Sequence, residues 1–429
     1  MSASKAGRGG ARGERTVTVL DVGTSKVAAL IALVGGTDAD PRVIGVGQRV
    51  CQGVRRGLVA DMERTESAIR AAVDQAERNA GVQAEKVYVN MSAGGLLSEG
   101  ENVEIDIGGH RITQADMATL LAAGRARIDP GHRTVLHAQP ALYTIDGLTG
   151  VSSPIGFHAD RLGMDIHIVT ADTPPIRNLD LAVRSAHLGV HTIVASPVAS
   201  SFAVLAREER EMSVALIEIG AGVTSIAVHA GGQLVGVASI PMGAGDITND
   251  IASAFATRRS HAERLKTLHG AAVTAQKDNH DLVEIPPISD DDSAETVRVP
   301  KSQIVAVIRH RLDLLFTEVA ARLTDMGFVG PQARQVVLTG GGAEIKSIAD
   351  FAQGVLGRNV RLGRPRGLTG LPDAQSSCAF ATLAGLALFA AEGLPDLWNT
   401  EAQKVRGERG AGKSPGRWQS MVEKLKSSM

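Results

Sequence analysis

The first sixty residues carry short apolar runs broken by turns, and the pattern then changes to a helical period. Apolar runs on either side of Gly23-Thr24-Ser25-Lys26 predict a β-hairpin over residues 16–34. Residues 43–50 and 57–59 predict further short strands. Ile69, Ala72, Val73 and Ala76 recur at helical spacing, which predicts a helix over 61–80 stopped by Gly81. Lys86–Met91 reads as a strand. Residues 92–150 change character, with a β piece at 101–107 and a helix opened by Thr113-x-x-Asp116. The stretch around Pro130 and Pro140 is broken by prolines, and the whole reads as a small inserted domain.

Strand 164–170 follows, then a helix with Pro174 and Pro175 in its first turn. Residues 191–195 predict a strand, and Pro197 opens a helix through Leu205. Residues 214–240 predict a second hairpin and one more strand, and 248–268 a long helical zone. Residues 273–300 are polar, with Asp290-Asp291-Asp292 read as a solvated loop. Ile304, Ile308, Leu312, Leu315, Val319 and Leu323 give helix 302–323 one apolar face. Strand 335–339, helix 344–356, a Gly/Arg loop at 363–370 and an Ala-rich helix at 377–391 complete the body. The last of these lies in an uncharged run whose apolar part is too short for a bilayer span, so a buried core helix is expected.

One pattern occurs twice. Leu20-Asp21-Val22-Gly23-Thr24-Ser25-Lys26 and Ile217-Glu218-Ile219-Gly220-Ala221-Gly222-Val223-Thr224 each join an apolar strand, a carboxylate and a glycine turn with hydroxyls. Glycine lets backbone N–H groups approach an anion, so such turns suit phosphate. A carboxylate repels phosphate unless a hydrated Mg²⁺ lies between them, held by one or two carboxylates and phosphate oxygens. Two such tips suggest related half-molecules facing one nucleotide. A third turn, Gly340-Gly341-Gly342 after a buried strand, suits close backbone approach to a flat or anionic ligand.

Composition narrows the class. Hydrophobic residues make up 44% and charged residues 21% of 429 positions, which fits a soluble globular chain of two or more subdomains. A net charge of −1 and 3% aromatics exclude a general nucleic-acid surface or base-stacking platform. Cys51 and Cys378 form no CxxC, and the twelve histidines show no metal spacing. The first fifteen residues carry Lys5, Arg8, Arg12 and Arg15 without an apolar run and read as a basic tail. Residues 396–415 are Gly-, Lys- and Arg-rich with no apolar period, the composition of a linker. Beyond them Trp418, Met421, Val422 and Leu425 fall at i, i+3, i+4 and i+7, one apolar helical face with basic residues mostly off it.

The order of hairpin, insert, hairpin, glycine loop and Ala-rich helix resembles the actin/Hsp70/sugar-kinase superfamily. Several stretches narrow the resemblance to the bacterial FtsA cell-division family: Tyr143-x-Ile145-Asp146-Gly147, Arg161-Leu162-x-Met164-Asp165-x-His167-Ile168-Val169, Ile240-Pro241-Met242-Gly243, Ile247-Thr248-Asn249-Asp250-Ile251-Ala252, Ala262-Glu263-x-x-Lys266 and the amphipathic tail. The resemblance implies an α/β, actin-like (ribonuclease H-like) fold of duplicated domains around a nucleotide cleft, with an inserted small domain and a C-terminal amphipathic helix. It implies a first core subdomain at 16–85, 164–197 and 378–395, with an insert at 86–163. A second core is implied at 198–254 and 331–377, a small subdomain at 255–330, a linker at 396–415 and a membrane helix at 416–429.

ATP with Mg²⁺ is the implied cofactor. Asp21 and Glu218 would position the metal as the catalytic pair. Gly23, Thr24, Ser25 and Lys26 would hold phosphates from one side, and Gly220, Ala221, Gly222, Val223 and Thr224 from the other. Gly243, Gly245 and Thr248 would line the phosphate side of the cleft, Glu263 and Lys266 would reach the ribose or adenine, and Gly340, Gly341 and Gly342 would pass under the nucleoside. Lys26 also suits a solvated strand position, and Glu263 with Lys266 an ordinary surface ion pair.

The implied partners are FtsZ, docked on the subdomain around 255–330, further copies of the chain in filaments, later division proteins, and membrane lipids through Trp418, Met421, Val422 and Leu425. The implied place is the cytoplasmic face of the plasma membrane at the septum. Glu218 stands where the family usually has Asp, and Ser196 where many relatives carry an acidic residue, so turnover is expected to be weak. A pilus-assembly relative or a small-molecule kinase of the superfamily would share the ATP site. The insert and the tail separate the first from this reading, and the acceptor-side base that a kinase needs separates the second.

Overall fold

Two sheets of the same spatial order carry the two hairpins. The computed structural model describes residues 14–35, 40–151, 153–288, 297–392 and 397–398. In the first sheet Arg15–Val22, Lys26–Val34 and Arg42–Val50 run as an antiparallel meander, and Lys86–Met91 and Gly189–Ala195 add in parallel on the other side of Arg15–Val22. In the second sheet Val214–Ile219, Thr224–Ala230 and Gln233–Ile240 form the meander, and Gln335–Thr339 and Asn359–Leu362 add in parallel. The register places Asp21 opposite Ala28 and Glu218 opposite Ser225, so each carboxylate sits one residue before the end of its strand. The duplication expected from the two tips is thus a duplication of whole sheets.

Helix Met62–Ala80 covers the first sheet. Asp61 accepts the Arg64 N–H at its start, and Gly81 ends it at φ 70°, a conformation glycine adopts without Cβ strain. Helix Ala381–Glu392 is buried on nearly every side and packs across Ser196–Val204 between the two halves. Gly385 permits this crossing, because a Cβ there would come within 1.9 Å of the Ala199 carbonyl oxygen. Among the described residues no helix is long and apolar enough to cross a membrane.

The inserted domain is a four-stranded antiparallel sheet in the order Leu97–Asp106, Arg161–Asp172, Arg133–Ile145, Leu148–Val151. Helix Gln114–Arg127 packs on it, with the Thr113–Asp116 capping box formed. The sheet pairing differs from the expected boundaries of 86 and 163. Lys86–Met91 belongs to the first core sheet, and Arg161–Asp172 is a central strand of the insert. Hydrogen bonding across the sheets sets these limits, and local pattern does not report it. The stretch around Pro140 also differs from the broken segment expected. It lies inside a thirteen-residue strand, at a register shift between Met164 and Ile166 of its neighbour, where a missing N–H costs no ladder bond.

The small subdomain holds helix Arg259–His269, the strand pair Leu282–Ile285 with Val297–Pro300, and helix Lys301–Asp325. The expected helical zone at 248–268 is two helices, since Ala244–Ala254 ends before Ala256 at φ 45°. Thr257 is buried there and donates to the Pro286 carbonyl at 2.5 Å, so a tertiary bond fixes the break.

Candidate functional site

The two hairpin tips meet at the junction of the sheets. A Cβ on Gly222 would lie 2.9 Å from Thr24 Oγ1 and from the Arg56 backbone, so only glycine fits this approach. The first tip closes through Gly23 N–H to the Lys26 carbonyl at 2.9 Å, and the second through Gly220 N–H to the Val223 carbonyl at 2.9 Å. Thr24 Oγ1 accepts the Gly57 N–H at 3.0 Å, and the Ser25 carbonyl accepts the Cys51 N–H at 3.0 Å.

Helix Ala244–Ala254 is seated on the second tip. Ala244 N–H donates to the Gly220 carbonyl at 2.9 Å and Gly245 N–H to the Ala221 carbonyl at 2.7 Å. Gly243 lies against the same carbonyls, and Thr224 Oγ1 donates to the Met242 carbonyl at 2.9 Å. Lys266 Nζ donates to Glu263 at 2.8 Å, to Thr248 Oγ1 at 2.8 Å and to the Ala244 carbonyl at 3.1 Å. The Glu263–Lys266 pair is therefore built into the wall under this helix. Gly340, at φ 82°, approaches the Ile219 carbonyl so closely that a Cβ would stand 2.5 Å from its oxygen, and Gly342 packs on the Ile219 side chain. Gly341 stands beside Ala379. All three glycine turns thus converge on one corner.

Two carboxylates stand near enough there for the Asp21 charge to act on Glu218. Asp21 is buried and accepts from Asn90 Nδ2 at 2.7 Å. Burial pushes its pKa up to about 6, against the lowering effect of the Lys26 charge and the Asn90 bond. Glu218 accepts from Thr382 Oγ1 and from Ser200 Oγ. Burial raises it to about 7. The Thr382 bond lowers it, the Asp21 charge raises it further and the Ser200 bond lowers it. Lys26 Nζ lies 3.2 Å from the centre of the Phe380 ring, a cation–π contact, and burial lowers its pKa while Asp21 and Glu344 raise it. Like-charged carboxylates, one buried and one half-buried, suit a divalent cation, which offsets the desolvation cost of both. The donor set fits Mg²⁺, which takes one or two carboxylates and completes its shell with water and phosphate oxygens.

Four partners at this corner carry no motif in the sequence. Asn90 donates to Asp21 and, at 3.1 Å, to Ser196 Oγ, and its Oδ1 accepts the Val22 N–H at 2.7 Å. Ser200 and Thr382 hold Glu218, and Phe380 carries Lys26. One signal was legible: Asn90 is a polar residue at the carboxyl end of an otherwise apolar strand, where α/β sheets place ligand groups. Trp418, Met421, Val422 and Leu425 lie outside the described residues, as do residues 1–13 and Asp290–Asp292, whereas Arg15, expected in the basic tail, opens the first strand and donates to the Ala390 carbonyl at 2.5 Å.

Arg298, Lys301, Arg309 and Arg311 form a basic cluster in the subdomain implied to dock FtsZ, and three of the four are spent on internal ion pairs. Arg298 pairs with Glu284 at 2.7 Å, Lys301 with Asp278 at 2.8 Å and Arg311 with Asp250 at 2.6 Å. Arg309 lies over the Phe351 ring.

Comparison with known proteins places this geometry. The family described as "Cell division protein FtsA" matches residues 215–385, and the "SHS2 domain inserted in FTSA" matches 94–170, close to the limits that the sheet pairing draws. The chain is 37% identical over 382 residues to a cell division protein FtsA of Rhizobium meliloti (strain 1021), covering 87% of this chain and 86% of the relative. It is 32% identical over 377 residues to that of Escherichia coli (strain K12), covering 87% and 89%. Among solved structures, a chain of a PilM-PilN type IV pilus biogenesis complex superposes with a TM-score of 0.60 at 18% identity, covering 87% of this chain and 98% of its own. MreB 5 of Spiroplasma citri bound to AMPPNP does so with a TM-score of 0.51 at 13% identity, covering 91% and 98%. At those identities the likeness is one of fold, and the fold is actin-like.

Proposed function

This chain belongs to the FtsA family of actin-like cell-division proteins, and we propose that it binds ATP with Mg²⁺ between its hairpin tips, polymerises on the cytoplasmic membrane and anchors FtsZ there at the septum, recruiting later division proteins. The observation that carries the nucleotide reading is the convergence of three glycine turns on two carboxylates, Asp21 buried and Glu218 half-buried. In this reading Asp21 and Glu218 hold Mg²⁺, which neutralises phosphate charge when bound. The tip residues 23–26 and 220–224 present backbone N–H groups and hydroxyls to the phosphates. Gly243, Gly245 and Thr248 line the phosphate side, Glu263 and Lys266 the ribose or adenine side, and Gly340–Gly342 the nucleoside.

Turnover is slow in this proposal. Ser196 holds no charge to activate a water, and its hydroxyl is occupied by Asn90. Glu218 is held by two hydroxyl donors, and burial raises its pKa to about 7, which weakens its charge near neutral pH without a cation. FtsZ docks on the subdomain around 255–330, and residues 416–429 tether the filament to lipid. Four apolar side chains bind a bilayer weakly, so many tails presented together supply the avidity. The inserted domain favours this reading over a pilus-assembly or small-molecule-kinase role, since its match is to the domain inserted in FtsA.

Co-sedimentation with anionic lipid vesicles tests the whole. The chain with ATP should pellet with vesicles, steeply with its own concentration, and carry FtsZ down with it. FtsZ left in the supernatant at every concentration overturns the anchoring role.

A further inference from the structure

The inserted sheet has an edge that this chain covers with its own residues. Strand Arg133–Ile145 is paired along one side by Arg161–Asp172. On the other side Leu148–Val151 pairs only with Tyr143, Thr144 and Ile145. The Ala138 carbonyl lies outside that short pairing, and it accepts the backbone N–H of Leu397 at 2.8 Å. Leu397 and Trp398 are half-buried and pack against the apolar core of the insert. The preceding helix, Ala381–Glu392, packs beside the same edge. Near its end the Phe389 ring meets the His137 ring edge-on at 5.6 Å, one residue from Ala138.

We propose that Leu397 and Trp398 form a latch that clamps the start of the C-terminal segment onto the inserted domain's sheet edge. The recognition is β-augmentation in miniature: one main-chain bond sets the register and two apolar side chains supply contact area. The consequence for the tail rests on the membrane-tether reading above. With the latch closed, a pull from the membrane acts through Leu397 and Trp398 on the insert and not on the core helix. With it open, that hold on the insert is lost.

Trp398 and Trp418 are the two tryptophans of the chain, so Trp418→Phe makes Trp398 a sole reporter. In full-length Trp418→Phe protein, acrylamide should quench Trp398 several-fold less efficiently than in the same protein in denaturant. Adding Leu397→Pro removes the N–H donor and the leucine side chain, and should raise quenching towards the denatured value while the far-ultraviolet circular dichroism stays unchanged. Trp398 as accessible in the native single-tryptophan protein as in denaturant overturns the latch. So does equal protection with and without Leu397→Pro. The native-versus-denatured comparison needs no latch substitution, and neither measurement contains lipid, nucleotide or FtsZ. A failed vesicle assay beside a protected Trp398 therefore overturns the tether and leaves the latch.

Discussion

Arg56 of the first half bridges to Asp246 of the second, with Nη2 3.2 Å from Oδ1. Its other terminal nitrogen donates to the Pro241 carbonyl. Asp246 also accepts the Gly243 N–H at 2.9 Å, so it caps the helix seated on the second hairpin tip. The side chain of Arg56 is 56% exposed, which limits the ion pair to about 1 kcal/mol or less. Arg56→Ala should leave the melting temperature nearly unchanged and speed release of a fluorescent ATP analogue. Asp246→Ala should cost stability as well, by about 1 kcal/mol, because the cap is lost. Equal release rates for Arg56→Ala and wild type would remove the bridge from nucleotide retention.

Asp21→Asn keeps a side chain that can meet Asn90 and removes a charge from a buried site. It should raise the stability of the nucleotide-free protein and weaken Mg²⁺-ATP binding. Asn90→Ala strips the Val22 N–H and the Asp21 carboxylate of their partner, at a cost of about 2–3 kcal/mol. Calorimetric unfolding and ATP titration read both. A nucleotide-free Asp21→Asn protein less stable than wild type contradicts the burial argument.

The two carboxylates also set a pH dependence. Their folded pKa values, about 6 for Asp21 and about 7 for Glu218, lie above the ordinary carboxylate values. The folded state then binds more protons than the unfolded one, so this pair's stabilisation is complete below about pH 4 and is lost as pH rises to about 7. His229 and His167 act in the opposite direction. Burial lowers them to about 3 and about 4, so they destabilise the fold as pH falls below about 6.5. A cation at the carboxylates removes the first effect. The gain in melting temperature from Mg²⁺-ATP should therefore grow between about pH 5 and pH 8, and Asp21→Asn should flatten that growth. A gain independent of pH in wild type would separate the carboxylates from the metal.

Arg298 and Lys301 should behave differently although they are close in sequence. The Arg298–Glu284 pair is exposed, so Arg298→Glu should barely change stability. If this face meets the FtsZ tail, the substitution should weaken binding of a tail peptide in a salt-dependent way. Lys301 pairs with Asp278, whose side chain is 2% exposed, and Lys301→Ala should cost about 2–4 kcal/mol. Unchanged peptide affinity in Arg298→Glu would move the docking site elsewhere.

Trp418→Glu should abolish pelleting with anionic vesicles and leave ATP binding intact, because it places a charge on the apolar face of the tail. A Trp418→Glu protein that pellets as wild type does would assign membrane binding to another part of the chain.

Where a signal is local and no distant contact overrides it, as one does at Thr257, the sequence alone determined the outcome. The glycine tips at 23–26 and 220–224, the strands Lys86–Met91 and Gln335–Thr339, helix Met62–Ala80 with its Gly81 stop, and the Thr113–Asp116 box all follow from side-chain period and turn chemistry within a few residues. The repeat of a carboxylate before a glycine turn also announced two related halves. Only the tertiary structure decided which sheet each strand joins. Lys86–Met91 and Arg161–Asp172 have similar apolar character, yet pairing sends one to the core and the other to the insert. It also decided that Asn90, Ser200, Thr382 and Phe380 meet the predicted carboxylates and lysine, and that Lys301 and Arg311 are already paired. These contacts join residues tens to hundreds of positions apart. A polar side chain in an apolar run shows that it needs a partner, and the packing of distant elements chooses which one.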